Sequence, residues 1–189
     1  MIANLFHGKL VKLTAEEPEK LAEAYSRWQW DSELQRLGTT EPASMHSKKG
    51  ILEYIEKQQK KEEDVRNFFF NIRTLEDDRL IGDVGLDGIR WNHGDAFVGI
   101  MIGDREDWNK GYGTDALRII LRYAFTELNL HRLSLNTFEY NPRAIRSYEK
   151  AGFKVEGRVR QYLNREGRRW DLIYMGILRD EWNSGNNSG

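Results

Sequence analysis

Between Ile100 and Leu117 an apolar run gives way to a polar loop, and Lys110-Gly111-Tyr112-Gly113-Thr114 then opens a stripe through Leu117, Ile120, Leu121, Ala124 and Leu128. This pattern predicts a strand, a connection and an amphipathic helix whose first turn is built on glycine. Glycines let the backbone approach a ligand closely. The free N–H groups at a helix start lie at the positive end of its dipole and suit phosphate. Lys110 adds a charge at the same place. Alone, a Gly-x-Gly before a helix is ambiguous between a turn and a ligand site, but spacing removes two phosphate loops. A Walker loop carries Lys-Ser or Lys-Thr after its last glycine, whereas Lys110 precedes Gly111. The dinucleotide fingerprint has a third glycine where Ala116 stands; alanine is permitted there, but the preceding strands read as antiparallel rather than as a βαβ unit.

Around this segment the hydrophobic pattern orders the chain. Gly8 to Leu13 alternates, with Leu10 on one face, as an edge strand. Thr14 reads as an N-cap for a helix over about 15–29, with Glu16, Glu17 and Pro18 in its first turn and Leu21, Ala24, Tyr25 and Trp28 on its stripe. Residues 30–47 read as an irregular loop, and Ile51, Leu52 and Ile55 restore a helical period to about Lys61. Phe68, Phe69, Phe70 and Ile72 mark a strand from Arg66 to Thr74. An acidic turn at Glu76-Asp77-Asp78 joins it to Leu80–Ile89, and Ala96–Ile102 follows as a third antiparallel strand. After the helix from Thr114 to Leu128 come a strand on Leu133, Leu135 and Thr137, a helix over Pro142–Lys150 closed by Gly152, and strands near 153–163 and 169–178. The expectation is one α+β domain over 1–182, with a mixed, mostly antiparallel sheet of about seven strands and four helices, and a disordered tail at 183–189.

Composition narrows the chemistry. The 189 residues include no cysteine, which excludes disulfides, thiolate metal sites and an acyl intermediate on a protein sulfur. A net charge of −1 provides no bulk attraction to nucleic acid. No run approaches the roughly 18 apolar residues of a membrane span, and the first residues lack a signal-peptide core, so a cytoplasmic protein without membrane contact is expected. His7, His46, His93 and His131 show no metal-ligand or triad spacing.

A second segment, Asn141-Pro142-Arg143-Ala144-Ile145-Arg146-Ser147-Tyr148-Glu149-Lys150-Ala151-Gly152-Phe153, follows one strand after the first. Together the two resemble the GNAT superfamily of N-acetyltransferases. Its pyrophosphate loop reads Arg/Gln-x-x-Gly-x-Gly/Ala, and its later helix reads Asn-x-x-Ala-x-x-x-Tyr-x-x-x-Gly-Phe. The resemblance spans about residues 8–179, in wording similar to the ribosomal-protein and spermidine N-acetyltransferase branch. It implies a sheet splayed between its fourth and fifth strands, here about Phe97–Ile102 and Arg132–Phe138, with acetyl-CoA as cosubstrate in the gap. It further implies that backbone groups around Met101 and Ile102 meet the pantetheine and polarise the thioester carbonyl. The pyrophosphate would rest on Asn109, Lys110, Gly111, Tyr112, Gly113 and Thr114, Asn141 would reach the cofactor, and Tyr148 would act as the catalytic proton donor to the leaving thiolate. Trp108 departs from the family's Arg or Gln. A homodimer through Phe68–Phe70 and the late strands belongs to the same set of implications.

The implied activity is direct transfer of acetyl from acetyl-CoA to a primary amine of a small amine, a polyamine or a protein N-terminus. The other reading is a non-catalytic acyl-CoA sensor or interaction module on the same fold. Without the resemblance, Tyr148 reads as a core aromatic and Asn141 as an N-cap. Candidates to accept the amine proton are Asp83, Asp87, Asp104 and Glu53, alongside a water relay. Between Thr14 and Asp64 stand twelve acidic and eight basic residues, an excess suited to a cationic acceptor. Trp28, Trp30 and Trp91 are candidate walls of the acceptor cleft, with core packing the alternative for Trp28.

Overall fold

The computed structural model describes residues 4–59 and 66–186. Strand β1 (Val11–Thr14) leads into helices α1 (Pro18–Trp28), α2 (Ser32–Gly38) and α3 (Lys48–Gln59). Strands β2 (Phe68–Thr74), β3 (Leu80–Arg90) and β4 (Asp95–Ile102) follow, then α4 (Tyr112–Thr126), β5 (Arg132–Phe138) and α5 (Pro142–Ala151). The hairpin of β6 (Lys154–Arg165) and β7 (Arg168–Leu178) and helix α6 (Arg179–Asn186) complete the chain. All seven strands join one sheet in the order β1-β2-β3-β4-β5-β7-β6, an α+β fold as expected. Every neighbouring pair is antiparallel except β4 with β5.

The parallel pair is short. Only Asp95, Ala96 and Phe97 stand in register with Arg132, Leu133 and Ser134, and beyond Phe97 the strands part. Gly94 closes the root of the fork, its carbonyl accepting from the backbone N–H of His131 at 2.6 Å and of Arg132 at 3.1 Å. Helices cover both faces. On one, α4 buries Ala116, Leu117, Ile120, Leu121 and Ala124 against Val11, Val84, Leu86, Leu133 and Leu135, with Tyr148 and Ala151 of α5 in the same cluster. On the other, Leu21 and Ala22 of α1 pack with Ile51 and Ile55 of α3, while Trp28 and Leu34 gather around Met101 and Trp108.

Several boundaries differ from the sequence reading. Helix α1 begins at Pro18 with Glu17 as cap, and Thr14 ends β1 instead, its hydroxyl donating to Glu16 at 3.0 Å. The buried residues of β1 are Val11 and Leu13, whereas Leu10 is exposed, a one-residue shift in which face turns inward. The expected loop after Trp30 contains α2, capped by the Asp31 carboxylate on the N–H groups of Glu33 and Leu34; with only Leu34 buried, it is too short to show a period. Residues 183–186 of the expected tail belong to α6, and 187–189 lie outside the described residues, as do 60 and 61 at the expected end of the α3 helix. Phe68 and Phe70 turn inward onto Tyr123, leaving Phe69 exposed, whereas Val155, Val159 and Tyr162 on the outer strand β6 are exposed. No helix among the described residues is long and apolar enough to cross a membrane.

One carboxylate ties the edge strand to the helix of the glycine segment. Asp115, buried in the first turn of α4, accepts from the backbone N–H groups of Leu10 at 2.7 Å and Val11 at 3.1 Å. Replacing it leaves two backbone donors short of a charged acceptor. Asp115→Ala should cost about 2–3 kcal/mol, seen as a lower urea midpoint at unchanged m-value.

Candidate active site

Where β4 leaves β5 a cleft of about 1020 Å³ opens, and residues from both faces of the sheet line it. Its backbone wall follows from the antiparallel ladder, in which successive residues point their N–H and C=O alternately toward and away from the neighbour. Gly103 N–H donates to Ile81 C=O at 2.9 Å, so Gly103 and Met101 face β3, and Ile100 and Ile102 face the gap. Met101 lines the cleft, but its own amide is committed to Asp83 on β3. The free groups belong to Ile100 and to the N–H of Ile102. The Ile102 carbonyl already accepts from Trp108 Nε1 at 2.8 Å.

That bond accounts for Trp108, the residue at odds with the family loop. Its ring sits among the α1 and α2 side chains and pins the chain leaving β4. The next turn is held by Asp107, 2% exposed, which takes the Arg79 guanidinium on both oxygens at 2.9 and 3.1 Å. Asn109 and Gly111 then adopt left-handed backbone, with φ of 64° and 89°, turning the chain so that α4 starts with its N–H groups toward the cleft. Asn109, Gly111, Tyr112, Gly113 and Thr114 all line the cleft. Lys110 does not. Its ammonium lies 3.7 Å from Asp107, so its charge is directed to the loop's own carboxylate.

Helix α5 forms the facing wall. Asn141 caps it, its Oδ1 accepting from Ala144 N–H at 3.2 Å, and also lines the cleft. Thr114 and Ser147 share a 2.8 Å hydroxyl bond that locks α5 to the start of α4. Tyr148 is 8% exposed, and no described residue bonds its hydroxyl; burial pushes the phenol up to about 12, so it stays protonated at neutral pH. Sequence reasoning missed Arg143, Arg146 and Lys150, which all line the cleft one or two turns apart on this helix. Arg143 lies over the Trp108 ring, its guanidinium carbon 3.5 Å from the centroid, and desolvation lowers its pKa. The i, i+3, i+7 spacing of these three cations was the available signal.

The opposite end is acidic and aromatic. Asp83 and Asp87 line it with Tyr25, Tyr54, Phe68 and Phe69, and the Tyr25 hydroxyl donates to Asp83 at 2.9 Å. Two other base candidates fall away. Asp104 accepts from Arg27 and the Trp28 indole outside the cleft, and Glu53 is exposed beside Lys49. The tryptophans are not the walls. Trp28 is buried under Gly103, whereas Trp30 (77% exposed) and Trp91 point to solvent elsewhere. Among the described residues no cluster of three or more His, Asp or Glu side chains is placed to hold a metal.

Residues 10–154 match the acetyltransferase (GNAT) domain family. The chain is a GNAT N-acetyltransferase. It is 38% identical over 135 residues to a probable N-acetyltransferase, YjcK, of Bacillus subtilis, an alignment spanning 71% of this chain and 72% of that one. It is 36% identical over 103 residues to the spermidine N(1)-acetyltransferase of Vibrio cholerae, covering 54% and 59% of the two chains. A crystal structure of spermidine N-acetyltransferase from Vibrio cholerae with CoA and spermine superposes with a TM-score of 0.77 at 25% identity, over 92% of this chain and 98% of that one.

Acetyl-CoA, the cosubstrate of this family, fits the cleft on chemical grounds. The gap offers the unpaired amides of Ile100 and Ile102, and the helix start offers further N–H groups. A Cβ on Gly113 would meet protein only at 3.6 Å and beyond, so the protein itself tolerates a side chain there. Gly113→Val should therefore keep its melting temperature within a few degrees and lose CoA affinity at least tenfold by calorimetry, an effect of about 1.4 kcal/mol. Gly111→Ala, at positive φ, should cost about 1–2 kcal/mol of stability as well.

Proposed function

We propose that this enzyme transfers acetyl directly from acetyl-CoA to the primary amine of a small cationic acceptor, a polyamine being the best chemical match. The observation that carries this is the segregation of charge in one cleft. Arg143, Arg146 and Lys150 stand on the α5 side, where the one lining carboxylate, Asp107, is taken by Arg79, and Asp83 and Asp87 stand on the α1 and α3 side with no cation among the described lining residues there. An anionic cosubstrate and a cationic acceptor would each meet the opposite charge and converge where β4 leaves β5. Kinship to a spermidine N(1)-acetyltransferase supports the same acceptor class.

In this reading the phosphates rest on the amides from Asn109 to Thr114, and Arg143, held over the Trp108 ring, replaces the cation that the loop lacks at its first position. The amides of Ile100 and Ile102 hold the thioester in the gap, the free N–H donors stabilising negative charge that develops on its oxygen. Tyr148 faces the sulfur. A phenol held near 12 remains a donor at neutral pH and protonates the departing thiolate as the amine nitrogen gives up its own proton.

The test is release of CoA thiol with a panel of amines. Diamines and polyamines should exceed neutral or acidic amine substrates in kcat/KM, and a preference for anionic acceptors would sink the charge argument. Tyr148→Phe should lower kcat by about 10²- to 10⁴-fold with the KM for acetyl-CoA unchanged. Arg143→Ala should do the reverse, raising that KM about tenfold, the loss of one charge-assisted contact worth about 1.5 kcal/mol, with kcat little altered.

A further inference from the structure

We propose that Asp83 is the group that accepts the proton of the acceptor ammonium, with Tyr25 as the residue that positions it; this rests on the amine-acceptor reading above. Because strand residues alternate, β3 presents Asp83, Gly85 and Asp87 on one face, while Val84 and Leu86 enter the core on the α4 side. Their register partners on β4 are Met101, Gly99 and Phe97. Gly85 and Gly99 thus stand directly opposite each other, and a Cβ on Gly99 would meet nothing within 4 Å. At this rung β3 and β4 carry no side chain of their own, which leaves a lane over Gly99 bordered on the β2 side by the Phe69 ring, 3.4 Å from where a Gly85 Cβ would stand. Asp83 stands at its end beside Met101, where β4 has already left β5, and Asp87 stands beside Phe97 at the root of the fork. Tyr148 reaches the same cleft from α5, on the other face of the sheet. An amine lying in the lane has a carboxylate on its own side and the phenol across the thioester.

The surroundings suit Asp83 to the task. From α1, Tyr25 donates to its Oδ2 at 2.9 Å; Tyr54 of α3 bears on Tyr25; Asn71 is its register partner on β2, and Asp87 lies farther along its own strand. No cation among the described residues pairs with it, and enclosure raises its carboxyl to about 7 despite the opposing hydrogen bond from Tyr25. A base of that strength accepts protons well near neutral pH. The step balances. R–NH3+ gives one proton to Asp83, which passes it to water; the freed lone pair attacks the carbonyl carbon, the C–N bond forms and the C–S bond breaks. The second proton leaves the nitrogen and replaces, through solvent, the one Tyr148 delivers to sulfur. The products are the amide, CoA thiol and one released proton.

Thiol release measured against pH tests the assignment. With a diamine, wild-type kcat/KM should fall below an acid limb near pH 7. Asp83→Asn should lose at least about 100-fold at pH 7, and its rate should climb toward pH 10 as the free amine appears. With trifluoroethylamine, already neutral at pH 8, Asp83→Asn should stay within about threefold of wild type, since no proton need be taken before attack. Tyr25→Phe should move the acid limb to higher pH, because it removes the bond that favours the carboxylate. Asp87→Asn should change acceptor KM and leave the limb in place. A raised folded pKa means that ionised Asp83 opposes folding above its unfolded pKa, so Asp83→Asn should melt higher than wild type at pH 8. An unchanged rate and limb in Asp83→Asn overturns the assignment, as does an equal loss with both amines. If wild type turns over no amine at all, the acceptor reading fails first and the assignment falls with it.

Discussion

Everything at the active site depends on the β4–β5 pair being bonded at its root and open beyond it. Three register pairs hold the strands together, and the Gly94 carbonyl clamps the root. Past Phe97 the outward amides of β4 have no strand to bond. An unpaired backbone group in the middle of a sheet is costly, so such a fork persists only where a ligand or solvent completes it. The protein closes one such group itself, through Trp108 on Ile102. The others, on Ile100 and the N–H of Ile102, face the open gap.

That fork also sorts the chemistry by side. The α4 and α5 face contributes helix-start amides, three cations and a buried phenol, and the α1 and α3 face contributes two carboxylates among aromatic rings. An opening through a sheet lets groups from both faces reach one thioester, whereas a pocket on a single face brings only one set. Tyr148 and Asp83 have pKa values moved upward by the same cause, enclosure. The result differs because of their types: a phenol near 12 keeps its proton to give, and a carboxyl near 7 is poised to take one.

The glycine segment, the α5 motif and the order of elements were legible in the sequence because each is a local pattern. Gly111 shows why: its left-handed φ is a demand on one residue, visible without any tertiary context. Asn141 is similar, an N-cap signature before Pro142. Where neighbours distant in sequence decide, the reading slipped. The Lys110 ammonium stands 3.7 Å from Asp107 and outside the cleft lining, and Met101 lines the cleft while the β3 register takes its amide, relations that no local pattern shows. Trp28, Trp30 and Trp91 were the sequence candidates for an aromatic wall, yet the rings on the α1 and α3 side of the cleft are Tyr25, Tyr54 and Phe69.

The sequence by itself determined the family, the order of the elements and the glycine loop that opens α4, since these rest on propensities and spacings within a few residues. Only the tertiary structure decided which amides of β4 face the gap, that Arg143 lies on Trp108, and that Asp83 rather than Asp87, Asp104 or Glu53 is the enclosed carboxylate. Strand register and the packing of α1 and α5 across 58 and 35 residues of chain set those relations, from Tyr25 to Asp83 and from Trp108 to Arg143. No local pattern encodes them, because each depends on which surfaces meet when the core closes.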